Sequence, residues 1–243
     1  MKPEEEIPTN ALRIVEKLGL GPEMVRDVLS CFRAADPNFS RFLWAAGNDA
    51  ELDRSELLAR CSAIFFQYVA VQLSDDLSDG DCTYLPDPQR EGPALLLVLQ
   101  HLFYLAAANA GVPTAVLADA AGRFLFVGAA QVREVRLDEW NLERARAAAA
   151  GLNAKQFAAY LHILWWGTPL ASRAESIGQD LGVAVHVASD ARSGDRRFSS
   201  LSTRDRRALV RWAALAAKKL ERHNLGSLAR VLPTIHAALR AAD

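Results

Sequence analysis

Between Glu51 and Asp79 the apolar positions Leu57, Cys61, Ile64, Phe65, Tyr68 and Val69 recur every third or fourth residue. That spacing places them on one side of an α-helix and predicts a single long helix over this stretch. Similar patterning predicts helices from Ala11 to Lys17 and from Pro22 to Phe32, broken between by Gly19 and Gly21. Asp36-Pro37 marks a turn, and Phe39, Phe42, Leu43 and Trp44 indicate a short helix after it. The stretch Gly80 to Gly92, with Pro86 and Pro88, reads as a loop before an apolar helix from Pro93 to Asn109. Phe124 to Val127 would suit a strand, but no β-rich partners surround it, so the apolar stretch reaching Val132 is assigned to helix. Leu137 to Ala150 predicts a charged helix ended by Gly151, and Asn153 an N-cap for a helix through Trp166. Gly167 and Pro169 interrupt the chain before a helix from Ala171 to Ser189, stopped by Gly194 and Asp195. Two amphipathic helices follow, Thr203 to Arg222 and Leu225 to Ala241, the second bent at Pro233. The pattern is all-α, with no fixed-period repeat and no separable linker, and predicts a single domain over residues 1–243.

Composition narrows the class. A chain of 243 residues that is 51% hydrophobic and 23% charged has enough apolar surface for a sizeable core. A formal net charge of -1 lacks the positive excess that drives general nucleic-acid binding. Cys31, Cys61 and Cys82 are odd in number and widely spaced, which suits a reducing compartment better than a disulfide framework. The N-terminal Met1-Lys2-Pro3 and the three glutamates after it contain no apolar signal region. The run Ala94 to Leu105, interrupted by Gln100 and His101, reads as too short for a transmembrane segment. The expectation is a cytoplasmic protein.

The richest chemistry lies at the end of the long helix, in Leu73-Ser74-Asp75-Asp76-Leu77-Ser78-Asp79-Gly80-Asp81. Asp75 and Asp79 are one turn apart, and Asp76 is three residues from Asp79. Like charges at this spacing repel, and the helix dipole disfavours them at a C-terminus. A hard divalent cation shared by the carboxylates relieves both costs, and Mg²⁺ suits such oxygen ligands. The bland alternative is a solvated acidic helix end, although an apolar helix leads into it. Gly80 allows the chain to turn away directly after Asp79.

A second segment runs from Gly178-Gln179-Asp180 to Asp190-Ala191-Arg192-Ser193-Gly194-Asp195. Gly178 and Gly182 are one turn apart and permit close helix approach. Val183, His186, Asp190 and Ser193 form a ladder at spacings of three and four. His186 alone reads as a satisfied core histidine, whereas a buried Asp190 beside it demands a partner or a metal.

Together the two segments resemble the trans-prenyl diphosphate synthase family. Asp75, Asp76 and Asp79 match its first DDxxD motif, and Arg90-Glu91-Gly92-Pro93 resembles a reduced form of the paired arginines beyond it. Gly178 to Asp190 is similar to its second signature, with His186 at the usual glutamine, Ser189 at the first aspartate, Asp190 at the second and Ser193 at the third. Arg196 and Arg197 stand near the family's diphosphate-binding basic residue. Tyr160 and Thr168 resemble a further helix of that family, with Gly167 where lysine is expected.

The resemblance implies a class I isoprenoid synthase-like helical bundle around a central cavity. It implies Mg²⁺ on Asp75, Asp76, Asp79 and Asp190, and a diphosphate held by Arg90, Thr168, His186, Ser189, Arg196 and Arg197. The implied reaction ionises an allylic diphosphate and joins it to isopentenyl diphosphate, in a homodimer or a heterodimer with a homologue. Loss of Lys, Arg and Asp groups weakens the electrostatic clamp on the departing diphosphate. Two alternatives therefore stand: a class I terpene cyclase acting on one prenyl diphosphate, and a non-catalytic partner subunit of an active synthase.

Overall fold

The computed structural model describes residues 2–137 and 139–242. Among them every regular element is helical, and the chain packs as two compact units, Met1–Leu117 and Ala118–Asp243.

The first unit contains α1 (Pro3–Lys17), α2 (Pro22–Ala34), α3 (Pro37–Asp49), α4 (Arg54–Asp79) and α5 (Pro88–Asn109). Proline at the first position of α1, α2, α3 and α5 presets the helical φ without losing an intrahelical bond. Asp36 caps α3 by accepting from Asn38 N, and Asp53 caps α4 by accepting from Ser55 N and Glu56 N. That cap starts α4 at Arg54, three residues after the expected Glu51, which instead adopts a left-handed φ of 56°. Asp87 caps α5 five residues earlier than expected, so Pro93 lies inside the helix, in its second turn.

Helix α4 is the unit's axis and packs against α5, α1, α3 and α2. Ile64, Phe65, Phe66 and Leu73 are almost completely buried, and Phe32 meets Phe65 edge-on at 5.0 Å. Aromatic burial of this kind stabilises the fold by roughly 2–3 kcal/mol per ring. Phe65, Phe66 and Phe103 thus serve the core, while Tyr104 stays 37% exposed.

Helix α6 (Thr114–Val135) contains the boundary between the units, and its stretch Phe124 to Val127 is helical as expected. The second unit continues with α7 (Leu142–Ala149), a π-turn (Ala150–Ala154), α8 (Lys155–Leu164), α9 (Ala174–Ser193), α10 (Arg196–Ser200), α11 (Thr203–Glu221) and α12 (Leu232–Ala242). Asn141 accepts from Arg144 N and starts α7, later than the expected Leu137; Asp138 lies outside the described residues. Gly151 does not end the helix, and Asn153 is no N-cap, because the π-turn carries the chain directly from α7 into α8. A single i→i+5 turn inside a helix re-aims the next segment without breaking the helix.

Helix α9 is the axis of this unit, packed against α8, α11 and α12. A Cβ on Gly178 would stand 2.4 Å from Ala158 Cα, and one on Gly182 would stand 2.2 Å from the Asn153 carbonyl oxygen. The two glycines are therefore what lets α9 approach α8 and the π-turn. Tyr160 in α8 and Trp165 at its C-terminal end are fully buried.

Three helices are longer and more apolar than the interrupted run at Ala94 to Leu105 suggests. By length and composition alone, α4, α5 and α6 are long and apolar enough to cross a membrane, and the most apolar window of each is 67%, 39% and 22% buried within the protein.

Candidate functional site

The acidic end of α4 is built by local rules. Gly80 takes a left-handed φ of 79°, which ends the helix immediately after Asp79. The chain then folds back, and the Asp81 and Cys82 amides both donate to the Asp76 carbonyl, at 2.8 and 3.2 Å. Cys82 and Leu85 are buried and anchor the loop, with half-buried Tyr84 between them. The Tyr84 hydroxyl donates to Asp76 Oδ2 at 2.7 Å.

The three carboxylates are consequently not equivalent. Asp75 and Asp79, one turn apart, are exposed, whereas Asp76 is half-buried under the loop. Burial pushes the Asp76 carboxyl above its usual range, opposed by the Tyr84 hydrogen bond and reinforced by Asp81 and Asp79. Burial beside Asp76 likewise pushes the Tyr84 phenol far up, so it remains a donor. Sequence reasoning missed Tyr84, since a tyrosine eight residues from its partner across a loop has no periodic signature. Arg90 lies exposed in the first turn of α5, where its amide donates to Asp87.

At the C-terminal end of α9, His186 Nε2 and Asp190 Oδ2 are 3.4 Å apart, one helical turn from each other. Arg197 Nη1 donates to Glu134 Oε1 at 2.9 Å, and its guanidinium lies 5.9 Å from the Trp140 ring centroid. Glu134, Trp140, His186, Asp190 and Arg197 line one small cavity. Burial raises the Asp190 pKa, while His186 and Arg197 pull it down and Asp195 pushes it up. Glu134 is buried and 63 residues from Arg197, a separation that no sequence motif marks.

The remaining expected residues lie on α9, on α10 and in the turn after α8. Ser189 is half-buried, Ser193 Oγ donates to the Asp190 carbonyl at 3.3 Å, and Arg196 is exposed at the start of α10. Thr168 serves the turn after α8: its hydroxyl donates to the Trp165 carbonyl at 2.8 Å and accepts from Leu170 N at 3.2 Å. Gly167 beside it has a φ of 75°, a conformation a lysine would adopt only with strain.

At the opposite end of α9 an open cavity of about 880 Å³ is lined by Asp119, Arg123, Lys155, His162, Ser172 and Glu175, among others. Arg123 pairs there with both Asp119 and Glu175. Along α9, Glu175 is eleven residues from His186 and fifteen from Asp190, roughly 17 and 22 Å.

No family model and no curated protein matches the sequence. Solved structures do match. A geranyltranstransferase from Thermotoga maritima superposes with a TM-score of 0.72 at 19% identity, over 98% of each chain. A geranyltransferase from Legionella pneumophila gives 0.70 at 13% identity, over 98% of this chain and 96% of that one. The fold is class I isoprenoid synthase-like. At these identities the likeness establishes the architecture.

Among the described residues, no group of three or more His, Cys, Asp or Glu side chains forms a protein cage for a metal. Mg²⁺ seldom uses such cages; it keeps several waters and takes one or two carboxylates plus ligand phosphates. Exposed Asp75 and Asp79 offer hard oxygen donors of that kind, with Asp76 oriented beside them. Asp190 offers one carboxylate, already facing an imidazole and the field of a guanidinium.

Proposed function

We propose that the chain is a Mg²⁺-dependent transferase of the prenyl diphosphate synthase type, joining an allylic diphosphate to isopentenyl diphosphate in the cytoplasm. The observation that carries this reading is the carboxylate group Asp75, Asp76 and Asp79 at the end of a core helix, on the fold of two geranyltransferases. In this reading Asp75, Asp76 and Asp79 hold Mg²⁺ against the diphosphate, with Asp76 oriented by Tyr84, and Asp190 on α9 is proposed as a further metal-binding carboxylate. Bound Mg²⁺ would supply neutralisation of the charge that develops on the departing diphosphate. Arg90, Thr168, His186, Ser189, Arg196 and Arg197 are the proposed diphosphate-side groups. The proposed partner is a second copy of the chain or a homologue.

Purified protein with Mg²⁺ and dimethylallyl, geranyl or farnesyl diphosphate should yield longer diphosphates only when isopentenyl diphosphate is added. Hydrocarbon or alcohol formed without isopentenyl diphosphate would instead identify a cyclase. Absence of both turnover and Mg²⁺-dependent diphosphate binding would sink the enzymatic reading.

A non-catalytic partner subunit is the second reading, favoured by the engagement of Asp190 with His186 and by Ser189 and Ser193 on the same helix end. It predicts no turnover alone and a changed product length when the chain is mixed with an active homologue.

A further inference from the structure

The formal charge of -1 conceals an uneven distribution. Residues 1–117 carry nine Lys and Arg against seventeen Asp and Glu, and residues 118–243 carry nineteen against twelve. The first unit is therefore at -8 and the second at +7. Such an imbalance within one chain is a signal for contact with a charged surface.

Much of the second unit's excess is organised on α11. At 3.6 residues per turn, Arg204, Arg207, Arg211, Leu215, Lys218 and the C-cap Arg222 fall within an arc of about 80°. All six are exposed, and no acidic residue of α11 falls in the arc. The opposite side, with Leu209, Ala213, Ala216 and Leu220, is buried in the core, so the helix cannot rotate to hide the basic face. Arg204, Arg211, Lys218 and Arg222 have no ion-pair partner among the described residues. From Arg204 to Arg222 the row is roughly 27 Å long.

We propose that this face of α11 docks the protein on a membrane surface rich in anionic lipid headgroups. The row supplies the charge complementarity: cations about one helical turn apart on a straight line meet a planar array of phosphates. Leu215, in the middle of the row, decides between the candidate polyanions. It is 61% exposed, and at a bilayer it can enter the boundary between headgroups and acyl chains. Against a nucleic-acid backbone the same side chain would face phosphate and gain nothing. Each basic residue near an anionic bilayer is worth about a fivefold gain in partitioning. The surface is independent of the carboxylates of α4, so this inference does not rest on the proposed reaction.

The experiment is co-sedimentation of the full chain with vesicles of phosphatidylcholine alone or enriched in phosphatidylglycerol, at low and high salt. The protein should bind only the anionic vesicles, and salt should release it. The combined Arg204→Glu, Arg211→Glu and Lys218→Glu variant should lose about a hundredfold or more in partitioning. Reversing Arg13, Lys17 and Arg33, exposed basic residues of the first unit, should leave binding unchanged. Leu215→Ala should weaken vesicle binding several-fold. No binding of the wild-type chain to anionic vesicles overturns the proposal, as does equal loss in both triple variants. Tighter binding to duplex DNA than to vesicles assigns the face to nucleic acid instead. Self-association abolished by the α11 triple, without vesicle binding, assigns it to the acidic unit of a second copy. Leu215→Ala, a single apolar replacement on the exposed face, keeps the test decisive even where the triple variant fails to fold.

Discussion

Tyr84 holds Asp76 by one hydrogen bond from a loop whose backbone also bonds the same residue. Hydrogen bonds to a ligating carboxylate fix its orientation, and removing them typically lowers metal affinity about 10–100-fold. Tyr84→Phe should therefore weaken Mn²⁺ binding, followed by electron paramagnetic resonance, about tenfold, with helicity retained. Unchanged affinity would mean that the bond serves only the loop. Asp190 makes a prediction about pH. Burial raises its pKa in the folded chain, so the folded state favours the protonated acid. The associated stability is present below the unfolded value and is lost as pH rises through the folded one. Asp190→Asn should thus compare more favourably with wild type as pH climbs from the acid range, measured by calorimetry at a series of pH values.

Two elements are defined by what their glycines permit. Gly182→Ala places a methyl group against the Asn153 carbonyl, so urea unfolding should show a loss of about 1–3 kcal/mol. Gly128→Ala in α6 meets nothing within 4 Å and should be neutral or stabilising by up to about 1 kcal/mol through helix propensity. The same helix carries exposed Leu125, Phe126, Val132 and Val135. If a second copy is the partner, as proposed, Phe126→Glu should shift sedimentation velocity profiles towards the monomer. An unchanged profile would place the association elsewhere. The π-turn before α8 is the other element with a consequence, because it keeps α7 and α8 continuous where Gly151 suggested a break.

At the scale of the whole molecule, the charge is divided by sign between the two units rather than spread evenly. A protein with a sequence pI of about 6.5 would ordinarily pass through a sulfopropyl resin at neutral pH. Retention there, eluting later for wild type than for the α11 charge-reversal variant, is the expected behaviour of a positive second unit. A net charge near zero therefore does not exclude polyanion binding, since surfaces respond to the local field and not to the sum. The proposed transferase activity belongs to this scale too, because the fold likeness extends over 98% of the chain.

Helix identity was legible in the sequence because it depends on neighbours three and four residues away. Leu57 to Val69 showed the buried face of α4, Gly80 and Gly194 showed where helices stop, and Gly178 with Gly182 showed where helices approach. The spacing of Asp75, Asp76 and Asp79 on one helix end was equally local. Only tertiary structure decided that Asp76 lies under Tyr84 while Asp75 and Asp79 face solvent. It likewise decided that Arg197 reaches Glu134 across 63 positions. These outcomes depend on which surfaces pack together, and packing joins residues whose separation along the chain carries no periodic trace.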